Sequence, residues 1–402
     1  MKDIDYLKKK YYSIFKEELF DSCIPFWLEH GKDEKNGGLY TCLDRTGEIF
    51  SEDKSVWMQG RCGYTFSHVS NVFGRNEEYL SFAKSCIDFE DKHCFDTDGR
   101  MFFKVTADGK PLRKRRYWFS ESFYVLAQAE YYMATGEERS LVSARRVYDM
   151  INGIFIDPSS DPFKIYPKTC PETRRFKGLS EAMILFNTSY VMRKADAERR
   201  EYYAATAELC LKEIKNHYFP EMSVLLENVT EDNRYDGSTS DGRIINPGHD
   251  MECAFFLLQE ALYRKDEALV TFAETIFLDA WRRGRDEKYG GILYFVDAEN
   301  KPVEAYEHDM KLWWVHNECM NAALLLLYAT GKSVYAEIFD EVASYSLSHF
   351  SDREYGEWFG YLRRDGIPTE PPCKGCSFKG PFHVLRNLAA MLNIFDGKPG
   401  LI

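Results

Sequence analysis

Hydrophobic positions along this chain follow two alternating rhythms. Short aromatic stretches ending in Gly, Asn or Asp are followed by longer stretches in which apolar side chains recur with helical period. The clearest short stretches are Gly37-Gly38-Leu39-Tyr40 leading to Asp44-Arg45-Thr46-Gly47, and Gly99 to Phe103 leading to Ala107-Asp108-Gly109. Gly290 to Tyr294 leads likewise to Asp297 to Asn300, and Gly356 to Phe359 leads to Arg364-Asp365-Gly366. Each predicts a β-hairpin, with a strand, a tight turn and a return strand. Weaker relatives stand at Phe163-Lys164-Ile165-Tyr166 and Ser223 to Glu227. Anchored on Tyr40, Phe103, Tyr166, Leu226, Leu293 and Phe359, the signal recurs every 60 to 67 residues, which marks a repeated unit.

Each hairpin is followed by an aromatic-rich helix: Val56 to Phe73, Trp118 to Thr135, Ser180 to Lys194, Pro247 to Arg264, Met310 to Thr330 and Phe382 to Phe395. A second helix comes before the next hairpin, often after a glycine stop such as Gly136 or Gly331. Arg139 to Ile154, Arg199 to Tyr218 and Asp266 to Trp281 are examples. Two helices in each of six units close most simply into an inner and an outer ring. The expected fold is therefore all-α, an (α/α)6 barrel with short β-hairpins in its loops, occupying 1–402 as one domain. An open superhelix is the alternative, but it would leave its end units exposed.

Composition narrows the function classes. A net charge of −12 over 402 residues argues against nucleic acid, which needs a concentrated basic surface. The basic run Arg113-Lys114-Arg115-Arg116 is either a solvated loop or an anion contact. No stretch is long and apolar enough to span a membrane, and Met1-Lys2-Asp3-Ile4-Asp5-Tyr6 lacks a signal peptide's apolar segment. With eleven cysteines in mostly apolar contexts, the expectation is reduced thiols in the cytoplasm. Cys373-x-x-Cys376 has no second pair, so no metal site is expected. Aromatic residues make up 15% of the chain, which suits a pocket that stacks on sugar rings.

Candidate chemistry comes from spacing. His249, His316 and His383 stand 67 apart, and Arg61, Glu121 and Glu181 stand 60 apart. All six fall in the first turn or two of a predicted inner helix, so a closed ring would gather them on one rim. A lone histidine on an aromatic helix is ordinarily a core group; three in register point instead to a site. Imidazole gives and takes protons near neutral pH, and two facing one substrate suit removal and return of a proton on opposite faces of a carbon. Arg61 supplies fixed positive charge for the oxyanion that forms when that carbon adjoins a carbonyl. Glu252 and Glu318, close after histidines, either orient an imidazole or form ion pairs with Arg61, Lys311 or Arg386. Trp313 and Trp314 are adjacent, so at most one is expected to stack on a ligand. Glycosidase chemistry would instead draw two separated carboxyls from Glu121, Glu181 and Glu318. No dinucleotide fingerprint, phosphate loop or nucleophile elbow is present.

Four segments carry a family resemblance: Trp57 to Arg61, Asn246-Pro247-Gly248-His249 to Glu252, Lys311-Leu312-Trp313-Trp314-Val315-His316-Asn317-Glu318, and Phe378 to Arg386. With Trp27 to Gly38 and Asp352 to Tyr361, they resemble the N-acylglucosamine 2-epimerase family from about Trp27 to Arg386. The resemblance implies an (α/α)6 barrel, commonly a homodimer, interconverting N-acetyl-D-glucosamine and N-acetyl-D-mannosamine. It implies ring opening, proton loss from C2 to an enediolate, and reprotonation on the other face. His249 and His383 match the acid/base pair, Arg61 and Glu318 the essential arginine and glutamate. Glu252, His316, Trp313, Lys311 and Glu121 are the expected substrate-binding residues. No cofactor is required, and ATP enters as a possible activator that is not consumed. Cellobiose 2-epimerases and aldose–ketose isomerases of the superfamily carry a further histidine on the third inner helix, where this chain reads Leu179 to Asn187 without one. Leu385 stands where the epimerase pattern has Pro. A non-catalytic, protein-binding role is the alternative of another class.

Overall fold

Helices that are apolar on every side cannot lie on a surface. In the computed structural model, which describes residues 3–115, 117–162, 170 and 172–401, six such helices form the inner wall of a ring. They are α3 (Val56–Phe73), α5 (Phe119–Thr135), α7 (Leu179–Ala195), α10 (Pro247–Arg264), α12 (Trp313–Thr330) and α14 (His383–Phe395). Along α12 every residue from Trp313 to Leu327 is buried, and α14 is buried throughout. Each packs on the next in order, and α14 packs back on α3, which closes the circle. Gly60 permits one tight contact, since a Cβ there would fall 2.7 Å from the backbone of Phe123 on α5. Gly136 and Gly331, in the left-handed region, end α5 and α12 where the glycine stops were expected.

Outer helices are amphipathic. In α8 (Arg200–Asn216) the buried residues are Tyr203, Thr206, Ala207, Cys210, Leu211 and Ile214, one stripe facing inward. Its counterparts are α4 (Glu77–His93), α6 (Glu138–Ile156), α11 (Glu267–Gly284) and α13 (Ser333–His349), with a short α9 (Ser240–Arg243) in a loop. Among the described residues no outer helix follows the last inner helix. Its outer cover is the start of the chain: α1 (Ile4–Glu17), a π turn (Glu18–Cys23) and α2 (Ile24–His30). Lys8 pairs with Asp396 at 2.8 Å, Tyr11 donates to Asp340 at 2.6 Å, and Trp358 donates to Glu18 at 2.7 Å. The expectation that every inner helix precedes its outer partner thus fails at the seam.

Strand pairing also departs from simple hairpins. Cys42–Leu43 pairs with Ile49–Ser51, and Lys104–Val105 with Pro111–Arg113, as expected. Other pairs stitch one unit to the next: Lys54–Ser55 with Lys104–Val105, Ile244–Ile245 with Val296–Asp297, and Lys311–Leu312 with Tyr361–Leu362. The weak hairpin expected at Phe163 to Tyr166 lies outside the described residues. Among the described residues no helix is long and apolar enough to cross a membrane.

Candidate active site

One end of the ring opens into a cavity of about 710 Å³ to which all six inner helices contribute. Its wall divides by chemistry. Phe123, Leu126, Met183, Ile184 and Phe256 form an apolar side, while Arg61, His249, Glu252 and His383 bring the ionisable groups.

His249 stands in the first turn of α10 because the turn is capped tightly. The Asn246 side chain accepts from the backbone N–H of Gly248 and His249, and Pro247 starts the helix. Gly248 is required there, since a Cβ would fall 2.6 Å from the Trp314 ring. The imidazole Nδ1 lies 2.8 Å from Glu227 Oε2. A carboxylate accepts only, so Nδ1 carries the proton and Nε2 remains for the cavity. Burial opposes charge on this ring, but the Glu227 carboxylate more than offsets it, and the pKa is raised.

His383 begins α14, and its Nδ1 lies 2.8 Å from Glu318 Oε1. The same oxygen accepts from Asn387 at 2.8 Å and from Arg386. Burial pushes the His383 pKa down to about 3, and the charge of Arg61 adds to the effect against the pull of Glu318. Glu318 itself is held down to about 2 because Arg386, His383 and Asn387 outweigh its burial. The two imidazoles flank one indole: ring centroids lie 5.2 Å from Trp314 for His249 and 5.7 Å for His383.

Arg61 lies over the rings of Phe123 at 4.2 Å and Phe382 at 4.8 Å, and its Nε has no hydrogen-bond partner among the described residues. Burial lowers its pKa to about 10, so it stays charged at neutral pH. Glu252 is raised to about 7 by burial and by the charge of Glu318. Glu252, Glu318 and His383 each offer a donor atom within 4.8 Å of the others, a grouping that can hold a metal. Here the positive charge among the carboxylates is Arg386, bonded to Glu318 and 3.6 Å from Glu252. A cation would have to displace it.

The model of the N-acylglucosamine 2-epimerase (GlcNAc 2-epimerase) family matches residues 38–383. The chain belongs to this family. It is similar to the N-acylglucosamine 2-epimerase of Rattus norvegicus, at 35% identity over 374 residues, 92% of this chain and 88% of the relative. Similarity to that of Homo sapiens is 34% over 374 residues, 92% and 86% of the two chains. Among solved structures, cellobiose 2-epimerase from Bacillus thermoamylovorans B4167 superposes with a TM-score of 0.83 at 19% identity, covering 96% of this chain and 99% of that one. That neighbour shares the barrel. Membership makes the chain a carbohydrate epimerase.

Of the residues expected from sequence in this epimerase, Arg61, His249, Glu252, Trp313 and His383 line the cavity, and Glu318 stands behind His383. Three do not reach it. His316 is fully buried, with Nδ1 on Leu312 O at 2.8 Å and Nε2 accepting from Ile292 N–H at 3.0 Å. Glu121 accepts from Met101 N–H at 2.7 Å and from Arg100 at 2.6 Å. Lys311 is fully buried against Asp286 at 2.8 Å. All three hold hairpins onto inner helices. Glu181 is also absent from the lining. The basic run is mixed: Lys114 pairs with Asp96 and Asp98, Arg115 lies 4.0 Å from the Phe103 ring, and Arg116 is outside the described residues.

Trp313 and Trp314, the first two residues of α12, both line the cavity. Sequence reasoning missed Glu227 as the partner of His249. Its strand signal was visible, but nothing in the spacing links a loop carboxylate to a helix 22 residues on. Arg386 was seen only as an ion-pair candidate, and Asn387 not at all.

Proposed function

We propose that this epimerase interconverts N-acetyl-D-glucosamine and N-acetyl-D-mannosamine by opening the sugar ring, one of His383 and His249 taking the C2 proton and the other delivering a new one to the opposite face. The observation that carries this reading is a pair of imidazoles flanking one indole, each with Nδ1 tied to a carboxylate. Neutral His383 takes the C2 proton through Nε2, the electron pair of the broken C–H bond forms a C1–C2 double bond, and the carbonyl pair moves onto the C1 oxygen to give an enolate. Arg61 offsets the charge that develops. Protonated His249 then returns a proton to the opposite face of C2 and becomes neutral. The reverse direction swaps the roles.

The names of the relatives support the N-acylated substrate, and the apolar wall of Leu126, Met183, Ile184 and Phe256 offers room for an acyl group. Turnover of N-acetylmannosamine in heavy water tests the route. Product carries deuterium at C2, no ketose appears in its carbon NMR spectrum, and His249→Ala and His383→Ala each lose about 10²–10⁴-fold in kcat. Unlabelled product would sink the proposal. By the family resemblance the working species is a cytoplasmic homodimer that ATP accelerates without being consumed. Sedimentation, and assays with and without ATP, test this extension.

A further inference from the structure

Cys373 and Cys376 lie in the segment between Tyr361 and α14, and the proton-transfer chemistry does not use them. Most cysteines of the chain are buried; these two are partly exposed and unpaired. The Cys376 Sγ accepts from the Phe378 backbone N–H at 3.4 Å, the Tyr361 hydroxyl lies 3.4 Å away, and Cys373 is close enough to perturb its ionisation. A sulfur so surrounded is held as thiolate, and its pKa falls to about 6, the Cys373 contact outweighing burial. Cys373 is pushed the other way by that same neighbour. One thiol is poised to attack and the other to resolve.

The backbone between them is anchored. Leu43 O accepts from both Lys374 and Gly375 N–H, and the buried Lys374 ammonium donates to Gly356 O and Glu357 O. Tyr361 and Phe378, which both contact Cys376 Sγ, also line the cavity. Tyr361 packs 5.3 Å from Trp313, and Phe378 lies 6.2 Å from Trp57. Among the described residues no third metal-ligating side chain joins the two thiols, so a zinc role has no ligand set.

We propose that Cys373 and Cys376 form a thiol–disulfide switch acting on the cavity wall, with small disulfides such as oxidised glutathione as the oxidant. The Cys376 thiolate attacks one sulfur of the disulfide, forming a mixed disulfide and releasing one glutathione thiolate. Cys373 gives up its proton, attacks Cys376 Sγ and expels the second glutathione. Two protein thiols are oxidised and one small disulfide is reduced to two thiols. The new bond removes the acceptor that holds Tyr361 and Phe378, and the wall they form loosens. Only the effect on turnover rests on the epimerase reading.

The full chain is equilibrated in glutathione buffers of graded potential, then followed by peptide mass mapping, iodoacetamide labelling and N-acetylmannosamine turnover. Cys376 alkylates about ten-fold faster than the exposed Cys170 at neutral pH. Oxidation links Cys373 to Cys376 and lowers turnover about three- to ten-fold, the scale of a lost hydrogen bond, and dithiothreitol restores it. Cys373→Ser keeps the basal rate and stops at the glutathione adduct on Cys376. Equal labelling of Cys376 and Cys170, or a Cys373–Cys376 disulfide that leaves turnover unchanged, overturns the switch. A chain that turns over no N-acetylmannosamine sinks the functional reading alone, and labelling and mapping still decide the thiol chemistry.

Discussion

Glu227 and Glu318 each accept a hydrogen bond from an imidazole Nδ1 at 2.8 Å, yet the two imidazoles are driven in opposite directions. The charge of Glu318 is already taken up by Arg386 and Asn387, and His383 faces Arg61 besides, so burial wins and the ring is neutral. Glu227 has His249 as its main partner, so its charge raises the ring's pKa. On the proposed mechanism, turnover in the direction where His249 gives its proton needs the charged ring and fades as pH rises through that raised pKa. Glu227→Gln removes the carboxylate charge and lowers the pKa. The alkaline limb of the kcat/KM profile therefore moves to lower pH, about one unit for each ~1.4 kcal/mol of lost interaction. An unmoved limb would separate His249 from that ionisation.

At the scale of the element, equal spacing proved different from equal placement. His249, His316 and His383 are evenly separated along the chain, but they are the third, fourth and first residues of their helices. The residues in true register are Arg61, Glu252 and Glu318, each the sixth of its inner helix, and these converge on the cavity or the histidine beside it. His316 belongs to another repeated device, in which the inner helix takes up a hairpin N–H. Gln59 does this for Leu39 at 2.7 Å and Glu121 for Met101 at 2.7 Å. His316→Ala leaves the Ile292 N–H unsatisfied beside a void. Unfolding in urea is expected to show a loss of about 2–4 kcal/mol, with kcat per folded molecule unchanged. A selective fall in kcat would restore His316 to the site. A repeated ion pair does similar work in Lys54–Asp33 at 2.7 Å, Lys311–Asp286 at 2.8 Å and Lys374–Asp352 at 3.1 Å.

For the whole molecule, closure depends on the two chain ends meeting. Deletion of residues 3–30 touches no cavity residue, yet it uncovers α14, which carries His383. The expected outcome is loss of turnover together with loss of the cooperative thermal transition followed by circular dichroism. A truncated chain that keeps both would show that the seam is dispensable. The Lys–Asp pairs set the acid limit. Asp33 and Asp352 are held down to about 2 against their own burial, by Lys54 for the first and by Arg45 and Lys374 for the second, and Asp286 lies lower still. A carboxylate with a depressed folded-state pKa contributes stability that is present above its ordinary value and lost as pH falls through the depressed one. Melting temperature should accordingly decline between about pH 4 and pH 2, and Asp286→Asn should flatten part of that decline.

Local chemistry determined a large share of this protein from sequence alone. Helical period, glycine stops and the Asn246-Pro247-Gly248 cap are written in neighbouring residues, so the inner helices were legible nearly to their ends, and with them the repeat and the ring. His249, His383 and Arg61 were singled out by their spacing and by the motifs around them, and all three line the cavity. Pairings across the ring were not. Which carboxylate meets which imidazole, which strand joins the next unit, and that the first helix covers the last are contacts between residues far apart in the chain. They are chosen by shape and burial once the circle is closed, so only the tertiary structure could separate the histidines that face the cavity from the one that holds a hairpin in place.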